Sequence, residues 1–191
     1  MTSGNKKLTI ERMDTLPETR PAGRSKTRAA AITLAIAAAL VALGIFILSQ
    51  KPAAPDAKFI TLDGEAIHTK DLRGKVVLVN FWATSCTVCM HEMPKLIETH
   101  NKFAPRGYQT IAVAMSYDPP NYVLDYTKRQ ALPFRVALDQ LGELARQFGD
   151  VRVTPTSFLI DKQGRIVRQL QGEPDFAQLD KLIDELLREP T

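Results

Sequence analysis

The segment Val76-Val77-Leu78-Val79-Asn80-Phe81-Trp82 constrains this chain most, because six of its seven side chains are apolar and three are β-branched. Such a run has no face to offer water. It suits a strand covered on both sides, as in a parallel sheet with helices on each face. Cys86-Thr87-Val88-Cys89 follows closely, and the pattern predicts a helix over 86–103 that begins at those cysteines. A second buried strand is predicted at 111–115. Upstream, 59–62 and 66–68 flank Asp63-Gly64, a hairpin signal. Downstream, Asp118 before Pro119 marks a helix start. Leu141, Leu144, Ala145 and Phe148 fall at helical spacing, with Gly149 where such a helix stops. Residues 157–161 and 165–170 flank Asp161-Lys162-Gln163-Gly164, which has Asp and Gly where a turn wants them. Phe176, Leu179, Ile183 and Leu186 make the last helix amphipathic. Early alternation and a late hairpin imply an α/β domain over 58–191, with a central mixed sheet flanked by helices.

The rest of the chain is organised by charge. It has 191 residues, 45% hydrophobic and 24% charged, which excludes a wholly disordered, collagen-like or polytopic membrane chain. The net charge is +4, and seven Lys/Arg against three acids within residues 1–28 account for all of it. From residue 50 onward, 18 basic and 18 acidic residues cancel. The globular part therefore has no basic field for nucleic acid. Residues 29–49 carry no charge, and as a helix they would reach about 31 Å, the thickness of a bilayer's hydrocarbon core. The reading is a basic cytoplasmic tail (1–28), one uncleaved transmembrane helix (29–49), a short Pro/Ala spacer (50–57) and the domain. By the positive-inside rule, residues 50–191 lie outside the cytoplasm. A cleavable signal peptide is the rival reading, and a buried soluble helix a third.

The two cysteines sit where a strand ends and a helix begins, the place where open α/β sheets tend to carry their chemistry. A helix N-terminus has free N–H groups and a partial positive charge, so a thiolate at Cys86 is stabilised and its reactivity rises. Cys89, three residues on, lies on the same helical face and can close a disulfide with Cys86 or resolve a mixed one. A plain structural staple is an alternative, although a loop of about four residues supplies only roughly 2 kcal/mol. A metal site is another, but His68, His91 and His100 lie at no ligand spacing. Covalent haem needs C-x-x-C-H, whereas here Met90 separates Cys89 from His91. No metal or cofactor is expected.

Taken in order, Gly74-Lys75, Val79-Asn80-Phe81-Trp82-Ala83, Cys86-x-x-Cys89, Glu92-Met93-Pro94, Leu132-Pro133-Phe134, Thr154-Pro155-Thr156-Ser157-Phe158-Leu159-Ile160-Asp161 and Gly164 resemble the thioredoxin superfamily. More narrowly, they resemble its TlpA/ResA-like membrane-anchored thiol:disulfide oxidoreductases. The resemblance covers about 58–191 and implies a thioredoxin-like fold. It makes Cys86 the exposed attacking cysteine, Cys89 the resolving one and Pro155 the cis-proline beside the disulfide. Thr154 would face the cysteines, and Trp82 matches the aromatic before the site, so both join Pro155 as substrate-binding residues; core packing is the other reading of Trp82. Glu92 matches an acid that assists proton transfer at the cysteines, and partial burial would raise its pKa. Pro94 matches a proline that kinks the helix. Three departures stand out: Asn80 where thioredoxin has a buried aspartate, Thr87-Val88 between the cysteines, and Ser85 rather than Trp before Cys86.

The expected activity is dithiol/disulfide exchange with protein clients outside the cytoplasm, in the reducing direction, at the bacterial inner membrane. The partners implied are a client with a disulfide or dithiol, a membrane thiol electron donor and the lipid bilayer, without nucleic acid. Apocytochrome c and the copper-site cysteines of an oxidase assembly factor are the client classes the resemblance suggests. A disulfide-introducing oxidase and a non-catalytic tethered client-binding module are the alternatives.

Overall fold

The computed structural model describes residues 24–48 and 51–190, and the chain divides into two compact units, Met1–Gln50 and Lys51–Thr191. The basic tail read at 1–28 falls outside the described residues up to residue 23. In the first unit, helix α1 (Arg24–Leu48) occupies the uncharged stretch, with Ile32, Leu34, Leu40, Val41 and Leu43 exposed. The expected membrane span is thus helical. Among the described residues, however, no helix is long and apolar enough to cross a membrane.

The second unit begins with a hairpin, β1 (Lys58–Ile60) and β2 (Ala66–His68), paired antiparallel around Asp63-Gly64. The main sheet contains β3 (Val76–Trp82), β4 (Tyr108–Ala114), β5 (Arg135–Leu138), β6 (Thr156–Ile160) and β7 (Ile166–Gln171). Its order is β5-β4-β3-β6-β7. The pairs β3·β4 and β4·β5 are parallel, whereas β3·β6 and β6·β7 are antiparallel, so the sheet is mixed. Helices α2 (Thr87–Phe103), α3 (Pro120–Arg129), α4 (Glu143–Gln147) and α5 (Phe176–Arg188) complete the unit.

The alternation of side chains along a strand distributes β3 between two cores. Val77, Val79 and Phe81 join Phe59, Ile111, Val113, Phe148 and Phe158 on one face. Val76, Leu78 and Trp82 face the other way, onto Cys89, Met93 and Leu96 of α2 and Leu179, Ile183 and Leu186 of α5. All seven β3 residues are buried, as a strand covered on both faces requires.

Several elements differ from the sequence reading. Strand β4 starts at Tyr108, three residues before the predicted run, because Gln109 and Thr110 are buried with it. Strand β5 carries no sequence signal of its own and forms as the sheet's edge. Helix α4 begins at Glu143 and leaves Leu141 75% exposed, so Leu141 is not part of the apolar stripe. Its start is set instead by Asp139, whose carboxylate accepts from the N–H groups of Leu144 (3.0 Å) and Ala145 (2.8 Å). Residues 51–57, read as a spacer, are held against the sheet. The Ala54 N–H donates to the Gly164 carbonyl (2.9 Å), the Ile166 N–H donates to the Pro52 carbonyl (2.8 Å), and Ala57 is buried.

Candidate active site

Strand β3 ends at Trp82, and the next three residues turn the chain into α2. Asp118, at the end of the β4–α3 connection, fixes that turn: its carboxylate accepts from the Thr84 N–H (2.6 Å) and hydroxyl (2.5 Å). The Cys86 N–H then donates to the Ala83 carbonyl (3.1 Å). Cys86 is the cap of α2, with extended backbone, and its Sγ accepts from the Cys89 N–H at 3.1 Å. A cap normally offers an oxygen to these free N–H groups. Here a disulfide sulfur takes that place. No acidic residue occupies the first turn of α2.

Cys86 and Cys89 are joined as a disulfide, with Cα atoms 5.2 Å apart. Cys89 is fully buried, whereas Cys86 is half-buried. Only Cys86 can meet another molecule. Its Sγ lies 3.6 Å from the Thr154 carbonyl oxygen. The Thr154–Pro155 bond is cis, as the resemblance implies, and the Pro155 carbonyl accepts from the Gly172 N–H (2.8 Å). The Thr154 hydroxyl is 3.2 Å from the Tyr117 hydroxyl. Val88, Val153 and Tyr117 expose apolar surface around this contact.

Glu92 lies one turn beyond Cys89 and is only 1% exposed. Its Oε1 accepts from Asn80 Nδ2 at 2.9 Å, and the same Nδ2 donates to the Ser157 hydroxyl at 2.9 Å. Glu92 Oε2 and Asn80 Oδ1 have no partner among the described residues. Burial pushes the Glu92 carboxyl up to about 7, the Asn80 hydrogen bond opposes this, and the Glu173 carboxylate adds to it. Glu173 itself is held below its ordinary value by Lys95 (2.7 Å) and His91 (2.8 Å) of α2.

The structure thus brings Cys86, Cys89, Thr154 and Pro155 together and sets Glu92 on the buried side of the same helix. Trp82 is different. Its side chain is fully buried against Tyr126, ring centroids 5.4 Å apart, and its Nε1 has no partner among the described residues. It supports the site from within the core and cannot touch a client. Asn80 and Ser157 were not singled out as site residues by sequence. A signal existed for Asn80, the one polar residue in a strand buried on both faces, since a buried polar group needs a partner. Among the described residues no cluster of His, Cys, Asp or Glu could hold a metal ion.

A mixed sheet with a CxxC pair at the first turn of a helix and a cis-proline beside it defines a thioredoxin-fold dithiol/disulfide protein. The chain belongs to the Redoxin family, whose model matches residues 49–183. Within the thioredoxin superfamily it is TlpA/ResA-like, a thiol-disulfide oxidoreductase with Cys86–Cys89 as its CxxC pair. The thiol-disulfide oxidoreductase ResA of Bacillus thuringiensis subsp. konkukian is 35% identical over 133 residues, 70% of this chain and 76% of that one. A Neisseria meningitidis protein described as a thioredoxin has a solution structure that superimposes with TM-score 0.68 at 41% identity, covering 73% of this chain and 93% of that one. A thiol:disulfide interchange protein from Chlorobium tepidum gives TM-score 0.67 at 29% identity, covering 73% and 98%.

Proposed function

We propose that this domain reduces disulfides in proteins outside the cytoplasm, and that α1 tethers it to the bacterial cell membrane. One observation carries the chemistry: a half-exposed sulfur at a helix cap is paired with a fully buried one. Cys86 is the attacking nucleophile. Its thiolate forms a bond to one sulfur of a client disulfide, and the other client sulfur leaves as a thiolate that takes a proton from water. Cys89 then gives its proton to the Glu92 carboxylate and attacks Cys86 Sγ. The Cys86–client bond breaks, the second client thiolate takes a proton, and Cys86–Cys89 is left oxidised. The client has gained two electrons, and a membrane thiol donor returns two to the pair. Thr154 and Pro155 line the client's approach, with Val88, Val153 and Tyr117 offering it apolar contact.

The tether rests on the sequence: an uncharged run of 21 residues preceded by seven Lys/Arg. The compartment it implies is oxidising, so a reductase there depends on its donor. Candidate clients are apocytochrome c, which presents a C-x-x-C-H segment, and copper-site cysteines of an oxidase assembly factor.

The test is Cys89→Ser in the full chain. Without its resolving thiol, Cys86 should accumulate mixed disulfides, visible on non-reducing gels, removed by dithiothreitol and identified by mass spectrometry. Recovering no adduct while Cys86 still alkylates readily would refute the exchange reaction. Trapping the wild-type redox state in cells decides direction, since a reductase is held mostly reduced and a disulfide-introducing oxidase mostly oxidised.

A further inference from the structure

We infer that Asn80 and Ser157 are positioning residues of the exchange reaction, an amide and a hydroxyl that keep Glu92 hydrogen-bonded whether or not its carboxyl carries a proton. The inference rests on the reading of Glu92 as proton acceptor for Cys89. Asn80 and Ser157 are direct partners in the antiparallel register of β3 and β6, so their side chains stand side by side on one face. Asn80 is 0% exposed and Ser157 3%. With Nδ2 2.9 Å from both Glu92 Oε1 and Ser157 Oγ, both amide protons are committed. That arrangement suits an ionised Glu92.

A protonated Glu92 has an O–H to give, and Nδ2 cannot accept it. Turning the amide about its last side-chain bond puts Oδ1 where Nδ2 was. Oδ1 then accepts from the acid and from the Ser157 hydroxyl, which can donate as well as accept. An aspartate at position 80 would set a second carboxylate against Glu92, and a leucine would leave it with no donor from this strand. The other charge facing Glu92 is Glu173, from the β7–α5 connection, already paired with His91 and Lys95. The faces of β3 and β6 beside it offer the neutral Asn80 and Ser157.

The experiment follows the Glu92 carboxyl by carbon-13 NMR against pH in the full chain, with Glu92→Gln identifying the signal. In parallel it measures the pH profile for reduction of a disulfide-bonded peptide. Asn80→Leu should raise the Glu92 midpoint by about one pH unit, because the bond lost from the ionised carboxyl is stronger than the one lost from the protonated form. Ser157→Ala should raise it by less, about half a unit, because Ser157 supports the amide in both states and its loss weakens the stronger bond, that to the ionised carboxyl, more. Ser157→Thr, which keeps the hydroxyl, should restore the wild-type midpoint, and the rate profiles should move with these midpoints. If Asn80→Leu does not fold, Ser157→Ala and Ser157→Thr decide. A Glu92 midpoint unmoved in folded variants overturns the inference while the proton role of Glu92 stands. A rate profile unchanged by Glu92→Gln overturns that role, and this inference with it.

Discussion

Glu92→Gln should stabilise the domain, and do so only above the acidic range. The folded chain holds the Glu92 carboxyl at about 7 against an ordinary 4.5. Burial therefore makes the folded state bind this proton more tightly than the unfolded state. By linkage, stability from this group is fully present below about pH 4.5, falls as pH rises, and is lost above about pH 7. A gap of about two and a half pH units, at about 1.4 kcal/mol each, makes the loss about 3 kcal/mol. Glutamine keeps the size and the contact of Oε1 with Asn80 and stays neutral throughout. The variant should match wild type near pH 4 and exceed it by about 3 kcal/mol near pH 8.

The measurement is guanidinium unfolding from pH 4 to 8 with the Cys86–Cys89 disulfide intact, so that neither thiol titrates. Trp82 is the chain's single tryptophan and is fully buried, so its fluorescence reports the loss of the core around the site. A difference of this size moves the midpoint by about 1 M denaturant for a domain this large. Stability curves that run parallel over the whole range would refute the claim that Glu92 is buried at a cost.

Asp118→Ala removes two bonds that fix Thr84 ahead of Cys86 and should destabilise the domain by about 1–3 kcal/mol in thermal unfolding. Asp139→Ala removes the two bonds that start α4 and should cost about 1–2 kcal/mol, read by urea denaturation. Leu141→Ser should change stability by less than about 0.5 kcal/mol in the same assay, because Leu141 is exposed despite its place in a helical spacing.

The strongest local patterns were legible. The apolar run of β3 dictated a strand buried on both faces, and the cysteines after it marked the start of α2. What was not legible depends on tertiary contact. Edge strand β5 is short and forms against β4, with little pattern of its own. The Pro/Ala stretch at 51–57 reads as a spacer by composition, yet its backbone finds hydrogen-bonding partners at Gly164 and Ile166, far away in sequence. Trp82 matches a site aromatic by position, but the strand's alternation sends its ring inward, and only the packed fold fixes its full burial. Asp118 reads as a helix start, whereas its carboxylate faces Thr84 across the sheet's end, and Pro119 caps α3.

The buried side-chain polar atoms without a partner among the described residues are Asn80 Oδ1, Trp82 Nε1 and Glu92 Oε2. Asn80 and Trp82 share one face of β3, and Glu92 meets that face from α2. Elsewhere buried acids are well satisfied: Asp118, Asp139 and Asp161 each accept two or more hydrogen bonds. The fold can therefore pair buried polar groups, and among the described residues the unpaired ones gather where Asn80 and Trp82 of β3 meet Glu92 of α2. An ionised carboxyl left short of donors is poorly solvated and takes up a proton readily. That is the property a base for Cys89 needs, and a fully bonded Glu92 would be a more stable but weaker one. Supplying Glu92 Oε2 with a hydrogen-bond donor should lower the carboxyl's midpoint, stabilise the domain at neutral pH and slow the resolving step together. Stability gained there with no loss of rate would separate the two and refute the link.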